Sequence, residues 1–271
     1  MILRKTTRSK LISIASSSNQ SKTILRMASA KEWFSTWFDS PYYHILYHQR
    51  DRGEAEQFIT NLNGLLKPKK GLKVLDLACG RGRHCISLNK LGLDVTGIDI
   101  SETSIAAAQQ ENNEMLEFLV HDMRDPFRTN YFDIILNLFT SFGYFKTKKE
   151  NLKVIRNVRQ MLKPGGKFVL DFMNIHHVMK NLVTNEQVHA GGIDFFIRRE
   201  ISEERIIKKI DFETDGVKHE FREQVQLIGP DEIRYWLEDS GLKVIHSRGD
   251  HDLHEFDIDN SPRIILVAEK K

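Results

Sequence analysis

Asp76, Gly80, Gly82 and Asp99 are the residues of this chain whose types and spacing allow them to act together. The apolar pair Val74-Leu75 leads into Asp76-Leu77-Ala78-Cys79-Gly80-Arg81-Gly82-Arg83-His84. Val95-Thr96-Gly97-Ile98-Asp99 follows, with its acid 17 residues after Gly82. A strand entering a Gly-x-Gly turn, a helix leaving it and a second strand ending in an acid build, in open α/β sheets, a cleft for an adenosine-bearing ligand. Glycine lets backbone approach such a ligand where a Cβ would collide. The acid, at the carboxyl end of the neighbouring strand, can accept a hydrogen bond from each ribose hydroxyl.

The surrounding pattern supplies the elements that position these groups. Strands are expected near 73–78, 94–99, 116–120, 132–138 and 167–172, with helices near 82–91, 101–112 and 147–161. That alternation specifies a parallel sheet covered by helices on both faces. Phe132 to Leu138 is nearly all apolar, as a strand buried on both sides requires. Gly92 should end the first of these helices, and Ser101 with Thr103 should cap the second. Upstream, Lys31 to Arg50 reads as an aromatic helical lead divided by Pro41. Ala55, Phe58, Ile59, Leu62 and Leu65 recur at helical spacing after it. Beyond Asp171 the period changes to two, and Thr214-Asp215-Gly216 suits a hairpin turn. Three or four antiparallel strands are expected within 185–228, then a helix over 231–240 and strands near 242–248 and 263–269.

Residues 71–166 resemble class I S-adenosylmethionine-dependent methyltransferases motif by motif. Val74 to Gly82 is similar to the family's first motif, with Ala78 where its first glycine usually stands. Ile98-Asp99-Ile100 resembles the second, Val120-His121-Asp122-Met123 the third and Phe132 to Asn137 the fourth. Leu162-Lys163-Pro164-Gly165-Gly166 matches the turn before the family's fifth strand. The resemblance implies an α/β fold: a Rossmann-like seven-stranded, mostly parallel sheet with helices on both faces and an antiparallel β insertion after the fifth strand. It implies S-adenosyl-L-methionine as cofactor, held by Asp76, Ala78, Gly80, Gly82, Asp99, Ile100, Asp122, Met123 and Asn137. In it Asp99 holds the ribose, Ile100, Asp122 and Met123 meet the adenine, and Asn137 lies beside the methionine ammonium. Tyr43 and Tyr47 resemble tyrosines that close over the methionine carboxylate.

Methyl transfer from a sulfonium is an in-line displacement that needs close approach and a dry site, and a base only where the acceptor carries a departing proton. Leu138-Phe139-Thr140-Ser141-Phe142-Gly143-Tyr144-Phe145 is expected to wall that site, and Tyr144 or His177, with His176 beside it, is the expected base. No metal is expected; the His251-x-x-His254 pair reads as a polar loop. The expected acceptor is an O or N atom of a small molecule. The alternatives are a protein that binds the adenosyl cofactor without turnover and a nicotinamide-dependent oxidoreductase. Against the latter, Cys85 stands where a dinucleotide fingerprint places its third glycine.

Net charge is +3, but residues 1–26 carry six basic and no acidic side chains, leaving −3 for the rest. The body has no global basic footprint, so no nucleic-acid partner is expected. No apolar run approaches the ~20 residues needed to cross a bilayer. The two cysteines, Cys79 and Cys85, do not form a disulfide framework. Residues 1–28, rich in Ser and Arg, are expected to be disordered or transit-like, with 29–271 as one domain. The compartment expected is cytoplasmic, or organellar if the segment is a transit peptide.

Overall fold

The computed structural model describes residues 32–48 and 52–271, so the expected disordered or transit-like character of residues 1–28 concerns a segment outside the described residues. Seven strands form the main sheet: β1 (Lys73–Leu77), β2 (Asp94–Asp99), β3 (Leu116–Val120), β4 (Phe132–Asn137), β5 (Leu162–Met173), β10 (Leu242–Arg248) and β11 (Arg263–Lys270). Their order is β10-β11-β5-β4-β1-β2-β3. β3, β2, β1, β4 and β5 pair in parallel, whereas β11 runs antiparallel to both β5 and β10. The chain leaves β1 toward one side of the sheet and enters β4 on the other. This reversal opens a crevice at the carboxyl ends of β1 and β4, where such sheets bind ligands.

Helices α3 (Arg52–Leu66), α4 (Arg83–Lys90), α5 (Glu102–Ala108), α6 (Lys148–Met161) and α8 (Pro230–Asp239) accompany this sheet. One core gathers Leu75, Ile135, Val154, Phe168, Phe172 and Trp236; the other gathers Phe58, Val74, Leu88, Val95, Phe118 and Val169. Alternate residues of β1 and β5 fall in different cores, because a strand's side chains alternate faces. α6 starts on a capping box: Thr147 Oγ1 accepts the Glu150 N–H at 3.2 Å and Glu150 Oε2 accepts the Thr147 N–H at 3.0 Å. Such a cap is worth about 1 kcal/mol. Ser101 caps α5 through the Ser104 N–H, while the Thr103 hydroxyl is drawn away to Asp39.

β5 begins at Leu162, earlier than expected. Leu162 pairs with Phe132 and Lys167 with Ile134, so Lys163-Pro164-Gly165-Gly166 loops out of the ladder between them. The expected helix over 101–112 ends as a 3-10 turn (Gln109–Glu111). A short helix the pattern did not indicate, α7 (Ile175–Lys180), follows β5, capped by the Asn174 side chain at the His176 N–H.

The insertion is a four-stranded antiparallel sheet of β6 (Asn185–Ala190), β7 (Ile193–Ser202), β8 (Arg205–Thr214) and β9 (Val217–Gln226). Asp215 and Gly216 are both left-handed (φ 52° and 73°), as a two-residue hairpin turn requires. Ala190, Ile193, Phe195, Ile197, Ile210 and Phe212 bury one face of this sheet against the lead helices α1 (Trp33–Trp37) and α2 (Pro41–Leu46). No described helix is long and apolar enough to cross a membrane.

Candidate active site

The glycine turn and the acid that ends β2 are joined directly. Asp99 Oδ2 accepts the Gly80 N–H at 2.9 Å and Oδ1 accepts the Ser101 N–H at 2.8 Å. Burial raises the pKa of Asp99 above the ordinary carboxylate value despite these bonds. Cys79 N–H reaches Ile98 O at 3.0 Å, completing the bridge between the ends of β1 and β2. The turn is tightly specified. Ala78, Gly80 and Gly82 have φ of 60°, 55° and 78°, and a Cβ on Gly82 would lie 2.4 Å from the Phe118 ring. Ala78 therefore holds a left-handed conformation that costs an L-residue about 1–2 kcal/mol. Gly80 has nothing within 4 Å of where a Cβ would stand.

Asp76 lies beneath this turn, 1% exposed. It accepts a hydrogen bond from the Cys85 thiol at 3.3 Å, and His84 Nδ1 stands 3.9 Å away. Burial drives its carboxyl up to about 7, partly offset by the Cys85 bond. Burial also raises both thiols and, with help from Arg83, lowers His84 to about 3, so His84 is neutral. Asn137, at the end of β4, is fully buried. Its Nδ2 donates to Leu77 O at 3.1 Å and lies 3.9 Å from Met123 Sδ, while Oδ1 has no partner among the described residues. Buried acceptors are normally satisfied, so this oxygen lacks a donor. The orphaned oxygen and the open edge at Gly80 both fit an adenosyl ligand with a cationic end. Ile100, like Met123 and Leu119, is partly buried against the main core.

Asp122 is engaged elsewhere: Arg124 grips both its carboxylate oxygens, with Nη2 at 2.7 Å from Oδ2, and also reaches Glu32 and Glu150. Burial would raise Asp122, but the Arg124 bonds outweigh it and hold the carboxyl below its ordinary value. Tyr43 packs edge-on against Trp37 and Phe38 in α1 and its following turn. The Tyr47 hydroxyl donates to Glu223 of β9 at 2.7 Å and accepts from Lys208 of β8. Trp37 Nε1 donates to the same Glu223 oxygen at 2.7 Å, so the lead is tied to the insertion. The lead is also tied to the cleft: Asp39 accepts from the Ser101 and Thr103 hydroxyls. Burial, then Arg81, lowers His44 to about 4.

The loop after β4 divides differently from expectation. Phe142 and Phe145 are 0% and 2% exposed and belong to the main core, leaving Phe139 and Tyr144 as its less buried aromatics. Tyr144 packs on Trp33 (5.2 Å) and Phe38 (5.4 Å), and Phe38 joins it to Tyr43. His177 lies on α7, where its ring has no hydrogen bond or ring contact among the described residues, and His176 is exposed.

A group of residues that the sequence pattern did not join fixes that loop. Asp171, 0% exposed near the end of β5, accepts the Phe139 N–H at 2.8 Å, Arg263 Nε at 2.5 Å and His251 Nε2 at 3.2 Å. Burial alone would raise Asp171, but Arg263 and His251 together hold it below its ordinary value. Arg263 Nη2 also donates to Thr140 Oγ1 at 3.0 Å. Phe139 and Thr140 are both left-handed (φ 55° and 59°), and these bonds offset their strain. Phe139 is sandwiched by His84 (5.1 Å), His251 (4.4 Å) and the Arg83 guanidinium (4.2 Å). At its other end the loop is clamped by Gln226, whose Nε2 donates to Phe145 O at 3.2 Å, and by Arg205, which donates to Phe145 O and Lys146 O. The His-x-x-His pair is split: His251 faces Asp171, while His254 pairs with Asp250 at 2.8 Å.

Residues 74–166 match the family described as "Methyltransferase domain". The chain is similar to YqeM of Bacillus subtilis, 38% identical over 109 residues, covering 38% of this chain and 43% of that protein. It is also similar to the dTDP-3-amino-3,4,6-trideoxy-alpha-D-glucopyranose N,N-dimethyltransferase of Streptomyces venezuelae, 31% identical over 100 residues, or 36% of this chain and 41% of that one. Each match spans less than half the relative's length. Among solved structures, an S-adenosylmethionine-dependent methyltransferase from Clostridium acetobutylicum superposes with a TM-score of 0.72 at 17% identity, covering 84% of this chain and 96% of that one. The fold is that of these methyltransferases, the inserted antiparallel sheet included.

Proposed function

We propose that this chain, which carries a methyltransferase domain over residues 74–166, transfers a methyl group from S-adenosyl-L-methionine to an O or N atom of a small molecule. The observation that carries the reading is the Asp99 carboxylate, fixed by the Gly80 and Ser101 N–H groups at the carboxyl edge of the sheet beside an open glycine turn. A carboxylate so held keeps lone pairs for two ribose hydroxyls, and hydrogen bonds to a charged acceptor are the stronger kind.

The bound cofactor supplies a methyl carbon activated by an adjacent sulfonium, so that an acceptor lone pair displaces a neutral thioether. Asp99 orients the ribose, with Ile100 and Met123 at the adenine. The unpartnered Asn137 Oδ1 and the buried Asp76 provide acceptors for an ammonium at the β1–β4 crevice. Ala78, Gly80 and Gly82 supply backbone that a ligand can approach without a Cβ or only past a methyl. Asp122 takes part in adenine recognition only through an oxygen lone pair that Arg124 leaves open. Tyr43 closes over the crevice from the lead, and Tyr47 acts through its bonds to the insertion. The loop 138–145, held by Asp171 and Arg263 at one end and Gln226 and Arg205 at the other, excludes water around the reacting carbon. Tyr144 is the ionisable side chain of that loop and serves as base for an acceptor that must lose a proton; His177 does so if α7 borders the bound acceptor.

Similarity to an amino-sugar N,N-dimethyltransferase supports an amine of modest size among these acceptors. The test is product analysis by mass spectrometry after incubation with methyl-deuterated S-adenosylmethionine and a panel of amino sugars, small amines, phenols and alcohols. Labelled methyl on one class identifies the acceptor atom. Cofactor binding without transfer to any member would favour a binding protein instead.

A further inference from the structure

The opposite edge of the main sheet, where the parallel strands begin, holds a second feature. Thr129 and Asn130 before β4, Arg156, Arg159 and Gln160 at the end of α6, and Lys270 at the end of β11 line a surface cavity of about 440 Å³. No acid is among them. Arg156 and Arg159 form no ion pair with any other described residue, and Lys270, 7% exposed, has no carboxylate partner either. Arg159 is seated in the space left by Gly241, where a Cβ would come within 2.8 Å of its Nε.

Hydrogen-bond accounting gives this cavity its sign. Lys270 Nζ donates to Asn130 Oδ1 at 2.8 Å and to Leu162 O at 2.6 Å. Gln160 Nε2 donates to Thr129 Oγ1 at 3.2 Å. The last carbonyls of α6 are also taken, Gln160 O by Asn130 N–H and Met161 O by Tyr131 N–H, both at 2.9 Å. Most side-chain acceptors around the cavity are thus engaged, Gln160 Oε1 apart, and the groups that remain are mainly donors: two guanidinium groups, the third Lys270 N–H, the Thr129 O–H and the Asn130 amide N–H pair. A largely buried ammonium satisfied only by neutral oxygens is costly unless a counter-charge is near. Burial and the neighbouring Arg159 accordingly lower the Lys270 pKa.

We infer that this cavity binds a small phosphate-bearing anion. Paired arginines match the oxygens of a phosphoryl group in forked geometry, and the leftover hydroxyl and amide donors extend the same pattern. The volume lies within the range of small-molecule sites. The site is at the far edge of the sheet from Asp99 and stands independently of the methyl-transfer reading.

The experiment is calorimetric titration of the full chain with inorganic phosphate and pyrophosphate at ionic strength held constant with sodium chloride. Saturable heat is expected, with affinity at least tenfold weaker in the Arg156→Gln/Arg159→Gln double variant. Both side chains are exposed, so the variant keeps its fold, which circular dichroism checks. Its affinity for S-adenosylhomocysteine should be unchanged. Tighter binding of pyrophosphate assigns a diphosphate ligand, and equal binding a monophosphate. The inference is overturned if neither anion gives saturable heat, or if the double variant titrates like the parent chain.

Discussion

Asp76 makes the candidate site an increasing liability to folding as pH rises from its unfolded toward its folded pKa, and the size of the effect follows from its surroundings. Its carboxyl is raised by burial from 3.8 to about 7. Because the folded value lies above the unfolded one, the folded state binds this proton more tightly. The group therefore costs nothing well below pH 4, opposes folding increasingly up to about pH 7, and then levels off. Linkage puts the penalty at roughly 1.7 kcal/mol at pH 5 and roughly 4.3 kcal/mol at pH 8, a difference of about 2.6 kcal/mol. Asp76→Asn keeps the shape and removes the titration. Urea unfolding of both proteins, followed by tryptophan fluorescence at pH 5, 6, 7 and 8, measures the stability gap directly. The variant's advantage should widen by about 2–3 kcal/mol across that range, mostly below pH 7. A gap constant to within about 0.5 kcal/mol would refute the argument that burial, rather than the Cys85 bond, governs this carboxyl.

Two further perturbations separate roles within the site. Gly82→Ala forces a side chain into a left-handed turn against the Phe118 ring, whereas Gly80→Ala meets only the conformational penalty. The first should destabilise by about 2–5 kcal/mol and the second by about 1–2 kcal/mol, read as thermal midpoints. Equal shifts would show that the ring yields freely. Arg263→Met leaves the buried Asp171 carboxylate with only His251 and the Phe139 N–H, without its arginine counter-charge, and should cost about 3–5 kcal/mol. Adding Asp171→Asn should recover part of that loss in the same melts, and no recovery would place the cost in packing rather than charge.

Local periodicity made most of the fold legible. The bounds of β2, β3 and β10 fall where alternation and apolar runs put them, and Pro41 divides the lead into α1 and α2. The Gly80–Asp99 pairing was likewise readable, since the two residues close adjacent parallel strands. What escaped depended on non-local register. Asp171, Arg263 and His251 come from β5, β11 and the loop between β10 and β11, and meet only because β11 lies antiparallel to β5. Asp171, an acid near the end of an apolar strand, and Arg263, a base opening the last one, were the signals available. Phe142 and Phe145 look like pocket aromatics in sequence, yet the turn at Phe139–Thr140 directs them into the core. The Tyr47 hydroxyl is drawn to Glu223 across 176 residues, a distance no local pattern spans.

The most direct measurement is calorimetric titration of the folded chain with S-adenosylhomocysteine, beside the Asp99→Asn variant. Two charge-assisted bonds to the ribose amount to roughly 3–6 kcal/mol, so the substitution should weaken binding at least a hundredfold while circular dichroism stays the same. An Asp99→Asn protein that binds as tightly as the parent, or a parent chain that gives no heat with this ligand or with S-adenosylmethionine, would contradict the account.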